Sequence, residues 1–564
     1  MEKKPQKNNF YSETICGCGY PEGSMSDLLF SAAKKYPHAP SVRFMGRSIS
    51  YSQCAEKVRK LRTGFMSLGI KKGDVVMACL PNIPEAVYTL YSLNSLGAVV
   101  CFTHPLSSPS ELYDYYKKSE AVAIVAYSAL SERFEKAFED KEKPLLIYTG
   151  GETELSFLKK QLLKISESIK GKKLTCSENV MKFSQLLKCK DESFKAEDIS
   201  AEDTAVMLFS GGTTGEAKAV LLSNLNLNAT AISIGCACGY SLEGKSILAA
   251  MPVFHGFGLG VGIHTALSFG AKSVLVPHFK KSMLARIILR EKPEFISGVP
   301  TFFEALRTNP YLAKADLGFL LGAFSGGDVL RPELKSNFEE FLRKHNSTVK
   351  IREGYGLTEC VSAVTLMPLG LEKKGSVGLA LNSTEIKICK RGTTDEAEVL
   401  AEGEICIFGP TVMKGYKNSD EEALRLHSDG KLWLHTGDIG YVDEDGYLYF
   451  KGRMKRIIVT SGYNIYPLSL EGIISEHKRV SQCAVVGVKD PYKMERPKAF
   501  IVPKGEVSDA EEFKKSIIDF QKDRVARYSV VKDIELKEKL PLTKLGKIDV
   551  KKLSEEANRA TPVS

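Results

Sequence analysis

The chain has 564 residues, of which 43% are hydrophobic and 26% charged; that is longer than one hydrophobic core serves, so at least two domains are expected and a disordered or fibrous chain is excluded. The formal charge of +10 comes mostly from dispersed lysines, which reads as a solvated basic surface with some attraction for anionic nucleotides, nucleic acid being the weakest of the partners it suits. Thirteen scattered cysteines and an opening MEKKPQKNNF without the apolar core of a secretory signal point to a reducing, cytoplasmic setting without disulfides.

From Asp74 the sequence DVVMACL, PNIPEAVYTLYSLNSLG, AVVCFTHP and AVAIVAYS alternates short β-branched runs with amphipathic stretches, the pattern of parallel strands buried on both faces. A second alternation runs through VMLF, SILAAMP, SVLVP, FISGVP and AFSGG. Between Ile247 and Ala271 no Lys, Arg, Asp or Glu occurs, but Pro252, five glycines and two histidines interrupt the stretch, so a buried strand, turn and helix is expected there rather than a membrane span. Around Ile386 to Tyr449 short strands separated by Gly, Asp and Asn suggest a β subdomain, with a hairpin at Asp445-Gly446. Beyond Lys455 a smaller α+β unit follows, with strands at QCAVVGV and KAFIV and a charged helix near Ala510 to Ala526. The C-x-C pairs Cys16/Cys18 and Cys236/Cys238 are too closely spaced for the usual zinc motif.

The strongest local signal is FSGGTTGEAKAVLLSN at Phe209 to Asn224, directly after an apolar strand. Gly211, Gly212 and Gly215 let backbone N–H groups turn toward an anion, and Ser210, Thr213 and Thr214 add hydroxyl donors. Lys218 follows too late for the order of a Walker loop, so a P-loop NTPase is disfavoured. Three more segments, EGYGLTE (Glu353 to Glu359), the run from His435 to Pro467 and PLTKLGKID (Pro541 to Asp549), join this cradle and MPVFHGFGLG. In that order and spacing the five resemble the adenylate-forming superfamily of acyl-CoA synthetases, peptide-synthetase adenylation domains and luciferases, over nearly the whole chain.

The resemblance implies an α/β fold: a large N-terminal part over residues 1–454, made of two α/β subdomains and a β subdomain from about 380, and a small mobile α+β lid over 455–564 with its hinge at Lys455. It implies ATP, Mg²⁺ and coenzyme A as cofactors and a carboxylic acid as substrate. Glu359, a carboxylate beside the Thr358 hydroxyl, suits Mg²⁺ shared with ATP phosphates. Tyr355 offers a face for adenine, with Glu353, Gly354 and Gly356 beside it and Gly326 and Gly327 opposite. Asp438 and Arg453 would hold the ribose. Lys547 is the expected catalytic cation, bridging carboxylate and α-phosphate, and His255 a positioning or gating residue, since a carboxylate needs no base at neutral pH. Ser461, Gly462 and Tyr463 match the segment lining the pantetheine tunnel. Ala219, Arg456 and Leu545 depart from the family's usual residues without removing a group the chemistry needs.

The segments around His255 to Ser325 and Ser362 are apolar and uncharged, which favours a medium or long fatty acid over an amino acid, with an aryl acid next. A ligase that loads a carrier protein and a non-catalytic nucleotide-binding homologue stay open as alternatives. The sequence leaves peripheral membrane contact and oligomeric state open.

Overall fold

The computed structural model describes residues 19–155, 179–190, 198–211, 217–419, 422–460, 463–490, 492–543 and 547–559. Two stacked α/β layers form the large part. In the first, the strands Val75–Cys79, Val99–Phe102, Ala123–Tyr127, Leu145–Thr149, Val180–Lys182 and Thr204–Gly211 run parallel, and Ala217–Ser223 and Gly415–Tyr416 close one edge antiparallel. In the second, Ile351–Glu353, Gly322–Ser325, Phe295–Gly298, Ser246–Ala249, Lys272–Leu275 and Pro40–Phe44 are parallel neighbours. Their residues are almost all buried, as expected of strands covered by helices on both faces.

Helices start where the sequence supplies caps. Ser223 and Asn226 form a reciprocal capping box for Asn224–Ala237, and Pro300 opens Pro300–Arg307, a position where its missing N–H costs nothing. One core cluster runs from Phe65, Tyr88 and Phe102 through Leu222 and Ile263 to Ile405 and Leu434, so the two layers and the β subdomain are packed as one body. The β subdomain is an antiparallel sheet of Glu385–Cys389, Gly403–Phe408, Leu432–Val442, Leu424–Leu426 and Leu448–Arg453. Gly446, at φ +85°, turns the last hairpin.

After the short 3-10 turn Met454–Arg456, the small unit builds its own cores. One gathers Ile458, Ile474, Val485, Ile501, Phe513 and Ile534; the other gathers Val486, Phe500, Leu540 and Leu553. Its long hairpin is Val480–Asp490 with Met494–Pro503, and the charged helix runs over Ala510–Lys522. Arg456 reaches Glu471 of the same unit at 2.6 Å. Polar contacts join the unit to the large part, among them Arg391 with Tyr466 and Lys504 with Glu333 at 3.4 Å.

Three features differ from the sequence reading. The helix expected within Ile247 to Ala271 is a π-helix over Phe257–Thr265, wider than an α-helix and often found beside functional sites. The strand Pro40–Phe44 precedes the first layer in sequence yet pairs with Lys272–Leu275 of the second, a non-local choice that no local pattern encodes. Nine described cysteines are free as expected, but Cys236 is disulfide-bonded. Among the described residues no helix is long and apolar enough to cross a membrane.

Candidate active site

The loops that leave the C-terminal ends of the second layer's parallel strands converge, the usual place for a ligand in an open α/β sheet. Asn82 fixes one of them: its amide donates to the carbonyls of Ala249 (2.9 Å) and Met251 (2.8 Å) and accepts from Val253 N–H at 2.8 Å. This clamp, from the opposite layer, sets the approach to His255. The imidazole accepts from Phe257 N–H at 3.2 Å, and burial together with the positive charge of Lys547 lowers its pKa to about 4. Nine residues on, His264 is an ordinary core histidine: Tyr91 Oη lies 3.0 Å from Nδ1 and Asn228 Oδ1 3.0 Å from Nε2, and burial lowers its pKa to about 3.

The segment after Ile351–Glu353 makes the tightest turn of the site. Gly354 N–H donates to Ser325 O at 2.9 Å, Gly356 bridges Ala363, and a Cβ on Gly356 would fall 1.9 Å from the Ser362 carbonyl oxygen. Only glycine fits that crossing. Between them Val361 has φ +62° and ψ −59°, and Ser362 N–H reaches back to Cys360 O at 2.6 Å. This is a γ-turn of the rare positive-φ kind, on a β-branched residue, and it stores about 1–3 kcal/mol.

Tyr355 and Asp438 meet across subdomains. The tyrosine hydroxyl donates to Asp438 Oδ2 at 2.7 Å, and its ring lies 5.6 Å from Phe450, near parallel. Asp438 is 2% exposed; its cross-strand neighbour Arg453 brings Nε to 3.2 Å from Oδ1, but without hydrogen-bond alignment. Burial raises the Asp438 pKa, while Arg453 and the Tyr355 hydroxyl pull it back. One carboxylate oxygen therefore retains an acceptor site.

Thr358 and Glu359 begin a short 3-10 turn. Glu359 Oε1 accepts from Tyr416 Oη at 2.9 Å, its backbone carbonyl accepts from Met413 N–H at 2.8 Å, and Lys218 Nζ lies 5.1 Å from the Tyr416 ring centroid. Lys218 pairs with Ser210, and Gly211 with Ala217, at the end of the antiparallel edge. The expected cradle residues Gly212, Thr213, Thr214 and Gly215 lie outside the described residues, as do Ser461 and Gly462.

Lys547 is delivered by the small unit. Thr543 N–H donates to Lys547 O at 2.7 Å, Lys547 N–H returns to Thr543 Oγ1 at 3.2 Å, and Leu542 bridges Ile548. These bonds set the Lys547 ammonium within electrostatic reach of His255, Asp328, Asp438 and Arg453; burial lowers its pKa, the two aspartates oppose the shift and Arg453 adds to it.

Between these groups and the N-terminal ends of the strands lies an apolar cavity. His255, Gly326, Gly327, Gly354, Tyr355 and Gly356 form its mouth; Val361, Phe257 and Ser362 its waist; Cys238, Leu242, Ile247 and Phe295 its far end. Among the described residues no Asp, Glu, Lys or Arg lines it.

The structure thus gathers Tyr355, Gly356, Thr358, Glu359, Asp438, Arg453, His255, Gly326, Gly327 and Lys547. It draws two expected binding residues elsewhere. Glu353 places its carboxylate 3.1 Å from Lys335, and Tyr463 is 54% exposed, stacked on Tyr528 at 4.3 Å. The sequence reading missed Tyr416 and Phe450 altogether. Tyr416 follows Met413, Lys414 and Gly415 in a short, ordinary-looking edge strand, and only its hydroxyl contact with Glu359 marks it.

The chain matches the AMP-binding enzyme family over residues 29–417 and the AMP-binding enzyme C-terminal domain over 469–547. A long-chain-fatty-acid–CoA ligase of Bacillus subtilis (strain 168) is 33% identical over 95% of each chain. A probable 4-coumarate–CoA ligase 1 of Dictyostelium discoideum is 31% identical over 84% of each. The solved structure of ATP-bound MatB from Rhodopseudomonas palustris shares the fold at a TM-score of 0.81 and 22% identity, covering 95% of this chain and 99% of its own.

Proposed function

The chain belongs to the AMP-binding enzyme family, and from that premise we propose that it is an ATP-dependent ligase that activates a medium- or long-chain fatty acid as its acyl adenylate and transfers the acyl group to coenzyme A. The observation that carries the acid class is the cavity. Its mouth lies beside Lys547 and the Tyr355–Asp438 pair, and its body offers no charge to an ammonium or a second carboxylate. An alkyl chain is the complement of such a wall, each buried methylene contributing about 0.8 kcal/mol. Its relatives named as fatty-acid–CoA ligases support the same reading.

In the first half-reaction an acid carboxylate oxygen attacks the α-phosphorus of ATP, and pyrophosphate leaves. Tyr355 and Gly326–Gly327 would flank the adenine, and Asp438 and Arg453 would hold the ribose hydroxyls, Asp438 through the oxygen that Tyr355 does not occupy. Lys547 would neutralise charge as it shifts between carboxylate and phosphate, as a preorganised cation. His255 stays neutral at physiological pH, so it can position the carboxylate without competing with Lys547 for charge. The donors at Thr358 and Glu359, a hydroxyl and a carboxylate on a short turn, fit Mg²⁺, which takes few protein oxygens and leaves room for water and phosphate. When bound, Mg²⁺ would neutralise the phosphates and orient the departing pyrophosphate.

In the second half-reaction the coenzyme A thiol attacks the acyl carbonyl; a thioester, AMP and a proton result. Rotation of the small unit at Lys455 would withdraw Lys547 and bring the Ser461–Tyr463 segment to the site. The separate cores on either side of the 3-10 turn support that motion, since few buried contacts need to change.

The test is acid-dependent exchange of labelled pyrophosphate into ATP, followed by thioester formation with coenzyme A, over saturated fatty acids, benzoates, cinnamates and amino acids. Exchange peaking with a saturated chain supports the proposal. Phe257, Phe295 and Phe324 line the cavity and favour an aryl acid as the second reading; a peak with a cinnamate would select it.

A further inference from the structure

Tyr416 lies outside the motifs that single out the nucleotide site, yet the fold builds it into that site. Its strand, Gly415–Tyr416, has two residues, and a pairing that short holds little by itself. Its surroundings hold it instead. Gly415 and Tyr416 pair antiparallel with Leu221 and Val220, and the flanking Lys414 and Lys417 N–H groups donate to Leu221 O at 2.9 Å and Ala219 O at 2.8 Å. The Lys417 ammonium anchors to Glu120 Oε2 at 2.7 Å and to Ser119 O at 3.2 Å, Asn418 Nδ2 donates to Glu120 Oε1 at 3.0 Å, and Lys414 Nζ donates to Glu202 O at 2.7 Å. Gly415, at φ +144°, takes a backbone conformation that favours glycine and turns the chain into this pairing. The edge of Ala217–Ser223, the strand that leaves the phosphate cradle, therefore presents the Tyr416 side chain on a braced backbone.

That side chain faces two groups of the nucleotide site at once. Its hydroxyl donates to Glu359 Oε1 at 2.9 Å, and three residues earlier Met413 N–H donates to the Glu359 carbonyl at 2.8 Å. One short segment thus holds Glu359 by backbone and by side chain. The ring centroid lies 5.1 Å from the Lys218 ammonium, within the range of a cation on an aromatic face, and Lys218 pairs with Ser210 at the start of the cradle. A glutamate on a short 3-10 turn loses rotamer freedom when a ligand fixes it, so a side chain fixed beforehand binds that ligand more tightly. A neutral hydroxyl can do this without cancelling the carboxylate charge, whereas an ammonium in its place would compete with a bound cation.

We propose that Tyr416 is a positioning residue for the metal–triphosphate complex: its hydroxyl fixes Glu359 Oε1 so that Oε2 stands ready for Mg²⁺, and its ring steadies Lys218 of the cradle. This rests on the reading of Glu359 as the Mg²⁺ ligand. Hydrogen-bond partners behind a ligating carboxylate commonly change metal affinity by about 10–100-fold, and the lower end of that range suits one neutral donor on a half-buried group.

Binding of α,β-methylene ATP, whose α–β bond is not cleaved, is measured calorimetrically on the full-length protein with excess Mg²⁺ and with EDTA. The wild type is compared with Tyr416→Phe, Tyr416→Leu and Glu359→Gln. Mg²⁺ should tighten binding to the wild type; the gain should fall about tenfold in Tyr416→Phe and vanish in Glu359→Gln. In EDTA, Tyr416→Phe should bind as the wild type does, because its ring still faces Lys218, while Tyr416→Leu binds more weakly. In pyrophosphate exchange Tyr416→Phe should need about tenfold more Mg²⁺ for half of its maximal rate, a shift that a general loosening of the fold does not produce. A Mg²⁺ gain equal in wild type and Tyr416→Phe but lost in Glu359→Gln would overturn the role of Tyr416 and leave that of Glu359 standing. A gain that survives Glu359→Gln would remove Glu359 as the metal ligand, and this inference with it.

Discussion

Replacing Leu242 by phenylalanine tests the depth of the acyl cavity. The cavity runs along Phe295–Gly298 and Ser246–Ala249, with its mouth at their C-terminal ends and Leu242, Ile247 and Phe295 at the other. Phe295 and Gly298 are three residues apart, about 10 Å at a strand rise of about 3.3 Å per residue. A larger side chain at Leu242 shortens only the far end. If it excludes roughly three methylenes, at about 0.8 kcal/mol each, the longest accepted acids lose about 2.4 kcal/mol, or about 60-fold in kcat/KM. Acids that never reach the far end keep their rate. The assay is pyrophosphate release over a series of saturated acids, with the wild type showing about fourfold gain per added methylene until the cavity is full. Equal loss at every length, or no shift in the preferred length, would refute the placement of the chain.

Lys547→Ala should lower adenylation by about 10²–10³-fold, the cost of removing one preorganised charge donor, yet leave thioester formation from a supplied acyl adenylate; equal loss in both half-reactions would remove the lysine from its assigned step. Gly356→Ala should cost about 3 kcal/mol in urea unfolding, because the new Cβ meets a backbone carbonyl at 1.9 Å and the crossing must open; an unchanged midpoint would contradict that close approach. His255 and His264 are held neutral by burial, with pKa values lowered to about 4 and about 3. The unfolded chain binds their protons from pH ~6.5 downward while the native state does not, so stability should fall from pH 7 to pH 5 and the loss should shrink in His264→Gln. Chemical denaturation across that range reads it, and a flat profile would count against buried neutral imidazoles.

Much of the fold was legible because its signals are local. Val75–Cys79, Val99–Phe102 and Ala123–Tyr127 are buried on both faces and announce themselves as apolar runs, and Gly446 marks its hairpin directly. Pairing across layers was not, as Pro40–Phe44 shows, since a strand's partner depends on packing elsewhere in the chain. In the site, Lys547, Asp438 and Tyr355 were readable through motifs, whereas the hydroxyl of Tyr416 on Glu359 and the ring of Phe450 against Tyr355 arise only when distant segments meet.

The ion pair of Arg456 with Glu471 lies wholly within the small unit, so it travels intact whenever that unit turns. What a turn must break is a handful of polar contacts near the surface, such as Lys504 with Glu333. Exposed pairs of this kind contribute about 0–1 kcal/mol each and weaken with salt. The unit is therefore latched rather than welded, and the occupant of the nucleotide site, with the ionic strength around it, decides how long the latch holds.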